Sequence, residues 1–224
     1  MRWLVLLCAL ISAGQAAAGA WPREAGHAFI DLSADAARAK LYAEYGLKGD
    51  FTVGIEVTHP KGRRLPDVVQ FVHHPIHRFA NGAILSGGVA YEVRETIAAG
   101  RMPELKGVAE SAVRVGLFFG KGFSSRFGDG WMTLDGQVER VVTTDWLGQP
   151  YAFKLDATIG VKPVDRLIVF VQAQTYRRDP DPMSLRLEPA AALKFGRAQL
   201  VVSPSVALTG KRDPRVKLGL WPDF

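Results

Sequence analysis

Residues 42–57, YAEYGLKGDFTVGIEV, contain the pattern that decides the fold. Apolar and polar or small side chains alternate strictly in this stretch, and a short turn at Leu47-Lys48-Gly49 interrupts them. A period of two predicts strands, because successive side chains of a strand point to opposite faces. The segment therefore predicts a β-hairpin. Its second strand places Phe51, Val53, Ile55 and Val57 on one face and Thr52, Gly54, Glu56 and Thr58 on the other.

The same alternation recurs along the chain, and helical periodicity is nearly absent. About twelve segments show it, including a poorer one near residues 67–79, and most are longer than the roughly 5–6 residues of a globular strand. Strands that cross a bilayer at a tilt need about 9–11 residues. Short turns also alternate with longer loops, at residues 59–66, 95–107, 143–148 and 178–182; residues 121–128 are the longest connection in the short set. These features predict an all-β fold: a closed, up-and-down antiparallel transmembrane β-barrel of about twelve strands.

The first twenty residues, MRWLVLLCALISAGQAAAGA, have the composition of a signal peptide. Arg2 precedes a short apolar run, and small residues follow, with Ala18-Gly19-Ala20 as the cleavage motif. We expect cleavage near Ala20/Trp21, which leaves residues 21–224 as the barrel. An N-terminal membrane anchor is the alternative, but the apolar run is short for one. The only cysteine, Cys8, lies in this leader, so the exported chain would contain no disulfide and no thiolate metal site.

The polar face of these strands carries charges of both signs, whereas bulky aliphatic side chains occupy the other face. Alternation alone does not separate inside from outside, because a soluble barrel would bury the aliphatic face. Strand length and loop asymmetry favour lipid as the solvent of the aliphatic face and a charged lumen. The predicted lumen-facing residues, which are candidates for solute selectivity, are Lys40, Glu44, Glu56, Glu92, Arg114, Asp135, Glu139, Lys154, Asp156, Arg186, Glu188, Lys194 and Lys217.

Aromatic residues stand at or near the predicted strand ends, where the interfacial girdles of membrane barrels lie. Lipid offers no partner to a free strand edge, so the sheet must close. The predicted girdle consists of Tyr45, Phe51, Phe119, Trp131, Tyr151, Phe195 and Phe224.

The last nine residues, VKLGLWPDF, resemble the C-terminal signature of bacterial outer-membrane β-barrel proteins, an amphipathic strand that ends in Phe. The resemblance implies that the barrel-assembly machinery recognises the strand through Phe224; Pro222 departs from the usual pattern. The hairpin at residues 42–57 is similar to one found in proteobacterial barrels, including those grouped with meta-pathway phenol-degradation transporters. That similarity covers about sixteen residues and concerns architecture rather than substrate.

Three prolines fall inside predicted strands: Pro75, Pro189 and Pro204. Each removes a donor from the hydrogen-bond ladder, so we expect a bulge or another irregularity at each position.

The reactive residues of the sequence form no recognisable catalytic, metal or cofactor site. His73 and His77 share a strand face but lie about 13 Å apart, and His74 points to the opposite side. No histidine has a serine two residues later, as outer-membrane phospholipases require, and an omptin-like protease site is not apparent. We therefore expect no enzymatic activity. The full chain has a net charge of +6, and loss of Arg2 with the leader takes it to +5, so the exported chain gives no reason to expect a nucleic-acid partner.

The preferred interpretation is a Gram-negative outer-membrane barrel that acts as a narrow channel or transporter for small solutes. A non-conducting structural barrel, its lumen packed with ion pairs, is the main alternative; a soluble periplasmic binding protein is a third. Outer-membrane lipid and lipopolysaccharide are expected partners. Basic residues in predicted external loops, either solvated or paired with lipopolysaccharide phosphates, are Lys61, Arg63, Arg64, Lys211, Arg212 and Arg215.

Overall fold

The computed structural model describes residues 19–95, 109–142, 151–178, 181–210 and 213–222. These residues form twelve antiparallel strands paired in chain order, and β1 also pairs with β12, which closes the barrel. The predicted fold class and strand number are confirmed. No helix among the described residues is long and apolar enough to cross a membrane. The strands are β1 (Ala28–Ala34), β2 (Arg38–Gly46), β3 (Thr52–Pro60), β4 (Asp67–Arg78), β5 (Ile84–Glu95), β6 (Ala109–Ser125), β7 (Gly128–Val141), β8 (Ala152–Val164), β9 (Leu167–Arg178), β10 (Ser184–Phe195), β11 (Ala198–Ala207) and β12 (Arg215–Pro222).

The two faces of the wall have opposite chemistry. Val115 and Ile159 are 58% and 53% exposed, although both are large and apolar, whereas Glu139 and Glu188 are only 4% and 3% exposed. In a closed sheet, side chains of opposite parity point outward and inward. The aliphatic residues therefore coat the outside of the barrel, and the charged residues face its interior.

The connections divide the barrel into two ends. We call the end with the turns after β2, β4, β6, β8 and β10 the turn rim, and the opposite end the loop rim. The connection at residues 121–128 is shorter than expected, because β6 continues to Ser125 and β7 begins at Gly128. The Ser124 hydroxyl donates to Asp129 Oδ1 (2.7 Å) across this extended hairpin. The β1–β2 connection at residues 35–37 is a short one on the loop rim.

The strand prolines disturb the wall in two ways. At Pro75 the register between β4 and β5 shifts, which confirms the expected bulge. The β10–β11 ladder is instead interrupted without a shift: Leu187 pairs with Val206 and Ala191 with Val202, and this common register puts Pro189 opposite Pro204. Neither proline has an N–H group, so the two strands lose ladder donors at the same level.

Candidate functional site

The barrel encloses a cavity of about 330 Å³. Inward side chains of β1 to β9 and β12 line it, and they include charged, amide and aromatic groups. Twelve strands lie between the eight that leave an interior just filled by side chains and the sixteen to eighteen that leave an open aqueous channel. The lumen is therefore the candidate functional site.

Most of the predicted lumen-facing residues surround this cavity: Lys40, Glu44, Glu56, Arg114, Asp135, Lys154, Asp156 and Lys217. Glu92, Glu139 and Glu188 are also buried inside the barrel, in ion pairs with arginine or lysine. Arg186 lies nearer the loop rim, where its guanidinium donates to the Ser205 hydroxyl (3.0 Å) and the Asp213 carbonyl (3.2 Å). Lys194 has the inward parity of β10 but is exposed, because it lies one residue from the strand end at the turn rim.

An arginine–glutamate cluster fills one side of the lumen toward the loop rim. Arg94 bridges three carboxylates, at 3.0 Å from Glu92, 2.6 Å from Glu110 and 2.7 Å from Glu139. Arg114 pairs with Glu92 and with Glu139 (3.0 Å), and Arg178 pairs with Glu110 (3.1 Å). Each buried carboxylate thus has an arginine partner, which burial of a charge requires. The members of the cluster are Arg94, Arg114, Arg178, Glu92, Glu110 and Glu139.

Three members of this cluster were missed at the level of sequence. Arg94 lies two residues after Glu92 on β5 and therefore points to the same face, so the alternation of the sequence could have identified it. Glu110 and Arg178 lie at strand ends that the aliphatic pattern does not reach, because β6 begins at Ala109 and β9 ends at Arg178. The inward polar positions therefore extend farther toward the loop rim than the outward apolar ones.

A second set of ion pairs lies elsewhere around the lumen. Lys40 Nζ is 2.7 Å from Glu56, and Lys217 pairs with Glu188. Cations and anions around the cavity are nearly balanced, so the lumen carries no strong excess of one sign.

One acidic pair is less well compensated. Asp135 and Asp156 lie directly opposite each other in the β7–β8 ladder. Lys154 Nζ is 3.0 Å from Asp156 Oδ2, but Asp135 Oδ1 and Asp156 Oδ1 have no hydrogen-bond partner among the described residues. Like charges directly opposite each other on neighbouring strands repel, so this part of the cavity wall is anionic.

Aromatic rings cover much of the lumen wall, and none of them was among the predicted lumen-facing residues. Neighbouring rings follow one another around the barrel, with centroids 5.5 Å apart for Tyr42 and Phe71, 5.8 Å for Phe29 and Trp221, and 6.1 Å for Phe170 and Trp221. All have the inward parity of their strands, and this parity was the available signal except on β4, where polar residues fall on both faces. The lumen aromatic set is Phe29, Tyr42, Phe71, Phe118, Trp131, Phe170 and Trp221.

The predicted place of Trp131 in the lipid-facing girdle is wrong. Its parity on β7 is that of Thr133 and Asp135, so the indole lines the cavity, with its ring centre 6.3 Å from that of Phe170. Gly160 on the neighbouring strand provides the space for this ring, because a Cβ at position 160 would overlap the indole. Proximity to a strand end was a poorer guide than parity.

The other predicted girdle residues divide between the rims. Tyr45, Phe51 and Phe195 are exposed near the turn rim, and Phe119 points outward on the same side of the barrel. Tyr151 is exposed next to the start of β8 at the loop rim. Phe224 lies outside the described residues.

The segment before β1, residues 19–24, enters the barrel at the turn rim: Ala20 is buried, whereas Glu24 is exposed. The Ser86 hydroxyl donates to the Ala20 carbonyl (2.5 Å), and the Arg23 amide donates to Thr52 Oγ1 (2.8 Å). The Arg23 guanidinium pairs with Glu44 (2.5 Å). The Trp21 ring packs on Gly120, where a Cβ would approach it to 2.6 Å. This segment narrows the turn-side half of the lumen.

The three clustered histidines do not converge. His73 is buried and faces the lumen, with Nε2 3.9 Å from Glu44. His74 packs on Phe51 and His77 on Phe79, with ring centres 4.4 and 4.5 Å apart. Within the described residues no group of three or more His, Cys, Asp or Glu side chains could hold a metal ion.

Comparison with solved structures places this architecture among known barrels. The KdgM porin matches with a TM-score of 0.61 at 9% sequence identity, over 88% of this chain and 99% of its own. The NanC porin matches with a TM-score of 0.59 at 8% identity, over 88% of this chain and all of its own. The chain shares the fold of these two porins.

A barrel of another kind also matches this fold. The translocator domain of the autotransporter NalP from Neisseria meningitidis matches with a TM-score of 0.51 at 11% identity, over 100% of this chain and 95% of its own. No protein-family model and no curated protein sequence matches the chain. At these identities the likeness concerns the fold alone.

Proposed function

We propose that this porin-fold chain is an outer-membrane channel for small solutes. The observation that carries the proposal is the combination of an apolar outer surface with a charged and aromatic cavity of about 330 Å³ inside a closed barrel. Lipid requires such a surface and such closure, and a conducting pathway requires a polar interior. No catalytic role is assigned to any residue.

The lining favours a particular chemical class of solute. The lumen aromatic set offers apolar ring faces, while Asp31, Lys40, Lys217, Gln172 and Gln174 offer charged and amide groups beside them. Sites of this size that combine aromatic walls with a few polar groups bind small organic molecules. We assign to the lumen a small solute with one ring or apolar face and one or two polar groups.

The predicted selectivity residues act in this proposal mainly as a size filter. Most lumen charges are already paired within the wall, and the signs are nearly balanced around the cavity. Selection by charge is then weak, since a permeating ion finds about as many cations as anions. The proposed channel discriminates by cross-section.

Single-channel recording in planar bilayers tests the channel. The wild-type barrel should show small, stable conductance steps, and Trp21→Ala should increase the step size because the indole narrows the turn-side lumen. Phe127→Ala is the matched control, since Phe127 is exposed in the β6–β7 turn and should not alter conductance. Absence of ion-permeable openings over a wide voltage range in both wild type and Trp21→Ala would refute the proposal.

A non-conducting barrel is the second candidate, and a specific observation favours it. The arginine–glutamate cluster occupies part of the lumen toward the loop rim, and residues 19–24 occupy the turn side. Silent bilayers from correctly folded protein would support this alternative. Recovery of the chain from the periplasm without detergent, with no heat-dependent change of gel mobility, would instead indicate a soluble protein.

The proposed partners concern the two rims. At the loop rim Arg63 is held by Asp67 (3.0 Å), which leaves Lys61 and Arg64 as the proposed contacts to lipopolysaccharide phosphates. Lys211 and Arg212 lie outside the described residues, and Arg215 pairs with Asp213. We also propose that the barrel-assembly machinery recognises the last strand through Phe224.

A further inference from the structure

The Asp135–Asp156 pair lies at the inner end of the N-terminal segment, beside Gly19. A Cβ at Gly19 would be 3.1 Å from Asp135 Oδ2 and 3.3 Å from Oδ1. The amino nitrogen is bonded to the same Cα, about 1.46 Å away. It therefore lies within the roughly 4–6 Å over which opposite charges stabilise each other.

Neighbouring cations do not fully neutralise the two carboxylates of this pair. The two carboxylates face each other across the β7–β8 ladder. Among the described residues, Lys154 forms an ion pair with Asp156. Asp156 is only 6% exposed, and each carboxylate retains one oxygen without a hydrogen-bond partner among the described residues. A buried anion of this kind requires a second cation or a proton.

We propose that the Asp135–Asp156 pair binds the α-ammonium of the mature chain, and that signal peptidase creates this ammonium by cleaving between Ala18 and Gly19. Hydrolysis of that peptide bond consumes one water, leaves a carboxylate on Ala18 and leaves an ammonium on Gly19. Ala16-Ala17-Ala18 supplies the small residues that the peptidase requires, as Ala18-Gly19-Ala20 also does.

The barrel itself favours the earlier cleavage site. Ala20 is fully buried, its carbonyl accepts from the Ser86 hydroxyl at 2.5 Å, and its methyl group packs at Gly120. Cleavage after Ala20 would remove these contacts and leave Ser86, which is itself fully buried, without that acceptor. Residues 19 and 20 therefore belong to the folded barrel, although the sequence motif alone points to Trp21 as the first residue.

This inference rests on export of the chain, which is part of the proposed function. Intact mass and N-terminal peptide analysis of protein extracted from the outer membrane should identify Gly19 as the first residue. A mature chain that begins at Trp21 would overturn the inference while leaving the channel proposal intact. Absence of the chain from the outer membrane would instead contradict the proposed function.

Chemical labelling tests the ammonium site separately from processing. At about pH 7 an amine-reactive reagent should modify the Gly19 α-amine of the folded barrel at least about tenfold more slowly than that of the unfolded chain, because the amine is paired and enclosed. Asp135→Asn should remove most of this protection in protein that retains heat-modifiable gel mobility. Asp129→Asn is the control on the same strand, since Asp129 is exposed and bonded to Ser124.

Equal labelling rates in folded wild type, Asp135→Asn and Asp129→Asn would refute the site. If Asp135→Asn does not fold, Asp156→Asn tests the same pairing from the opposite strand.

Discussion

At the residue scale, glycines keep the lumen open by letting aromatic rings lie flat against the wall. A Cβ at Gly54 would overlap the ring of Phe71, and one at Gly160 would overlap the indole of Trp131. Neighbouring strands of a sheet are only about 4.7–4.9 Å apart. An aromatic ring on one strand can therefore lie over the next strand only where that strand has a glycine. The glycines thus decide how far each ring projects into the cavity.

We expect Gly160→Ala to reduce conductance through the barrel. The new methyl group would displace the Trp131 indole from the wall toward the lumen and narrow the pathway, so the unit conductance should fall clearly below that of the wild type. Gly136→Ala is the matched control, because its Cβ would meet Leu155 only at 3.8 Å. Single-channel conductance of the two variants in the same bilayers measures the difference. Equal values would show that the Trp131 ring does not limit the pathway.

At the element scale, one weak part of the wall lies between β10 and β11. Pro189 and Pro204 face each other there, and the ladder resumes in the same register on either side. Every backbone group at membrane depth must find a partner within the protein, so carbonyls opposite the missing donors carry a free-energy cost. The closing β1–β12 seam is also short, with three residue pairs from Leu32↔Leu220 to Ala34↔Leu218.

The double variant Pro189→Val and Pro204→Val should stabilise the barrel. Each valine restores one ladder donor, and a hydrogen bond contributes about 0.5–1.5 kcal/mol net, so we expect a gain of about 1–3 kcal/mol. Urea unfolding of protein reconstituted in lipid vesicles measures this change. As a control, Pro163→Val lies near the turn rim, where the β8–β9 register is already irregular, and should give no comparable gain. A lower unfolding midpoint in the double variant would show that the proline pair relieves strain instead.

At the scale of the whole molecule, the outward aliphatic surface defines the solvent of the barrel. Leu134 illustrates it: the side chain is 46% exposed near the middle of β7, and its ladder partners Phe119 and Ala157 are apolar as well. In water so large an exposed apolar surface would favour aggregation. In a bilayer the hydrocarbon of the lipids covers this apolar surface.

Leu134→Arg should therefore destabilise the barrel by about 2–4 kcal/mol, the cost of an arginine at the bilayer midplane. Leu47→Arg in the β2–β3 turn should cost about 0–1 kcal/mol, because it lies at the turn rim. Unfolding midpoints in vesicles of defined lipid composition report both values. Equal costs at the two positions would contradict a membrane-embedded β7.

The sequence by itself determined the number of strands, their antiparallel order and the parity of each side chain. Alternation is a local property, and a closed sheet converts it directly into an inside and an outside. Strand length and loop asymmetry, which are also local, were sufficient to predict which face meets lipid. For the same reason most of the lumen charges could be identified residue by residue.

Only the tertiary structure decided which inward groups meet. The joining of Arg94, Glu110 and Arg178 in one cluster, the contact of Trp131 with Phe170 and the insertion of residues 19–24 all depend on register, strand tilt and contacts across the lumen. These relations connect residues far apart in the chain, such as Ala20 and Ser86, and no period in the sequence encodes them. Parity predicts that a side chain points inward, whereas the register and tilt of the strands in the closed barrel determine which residues it contacts.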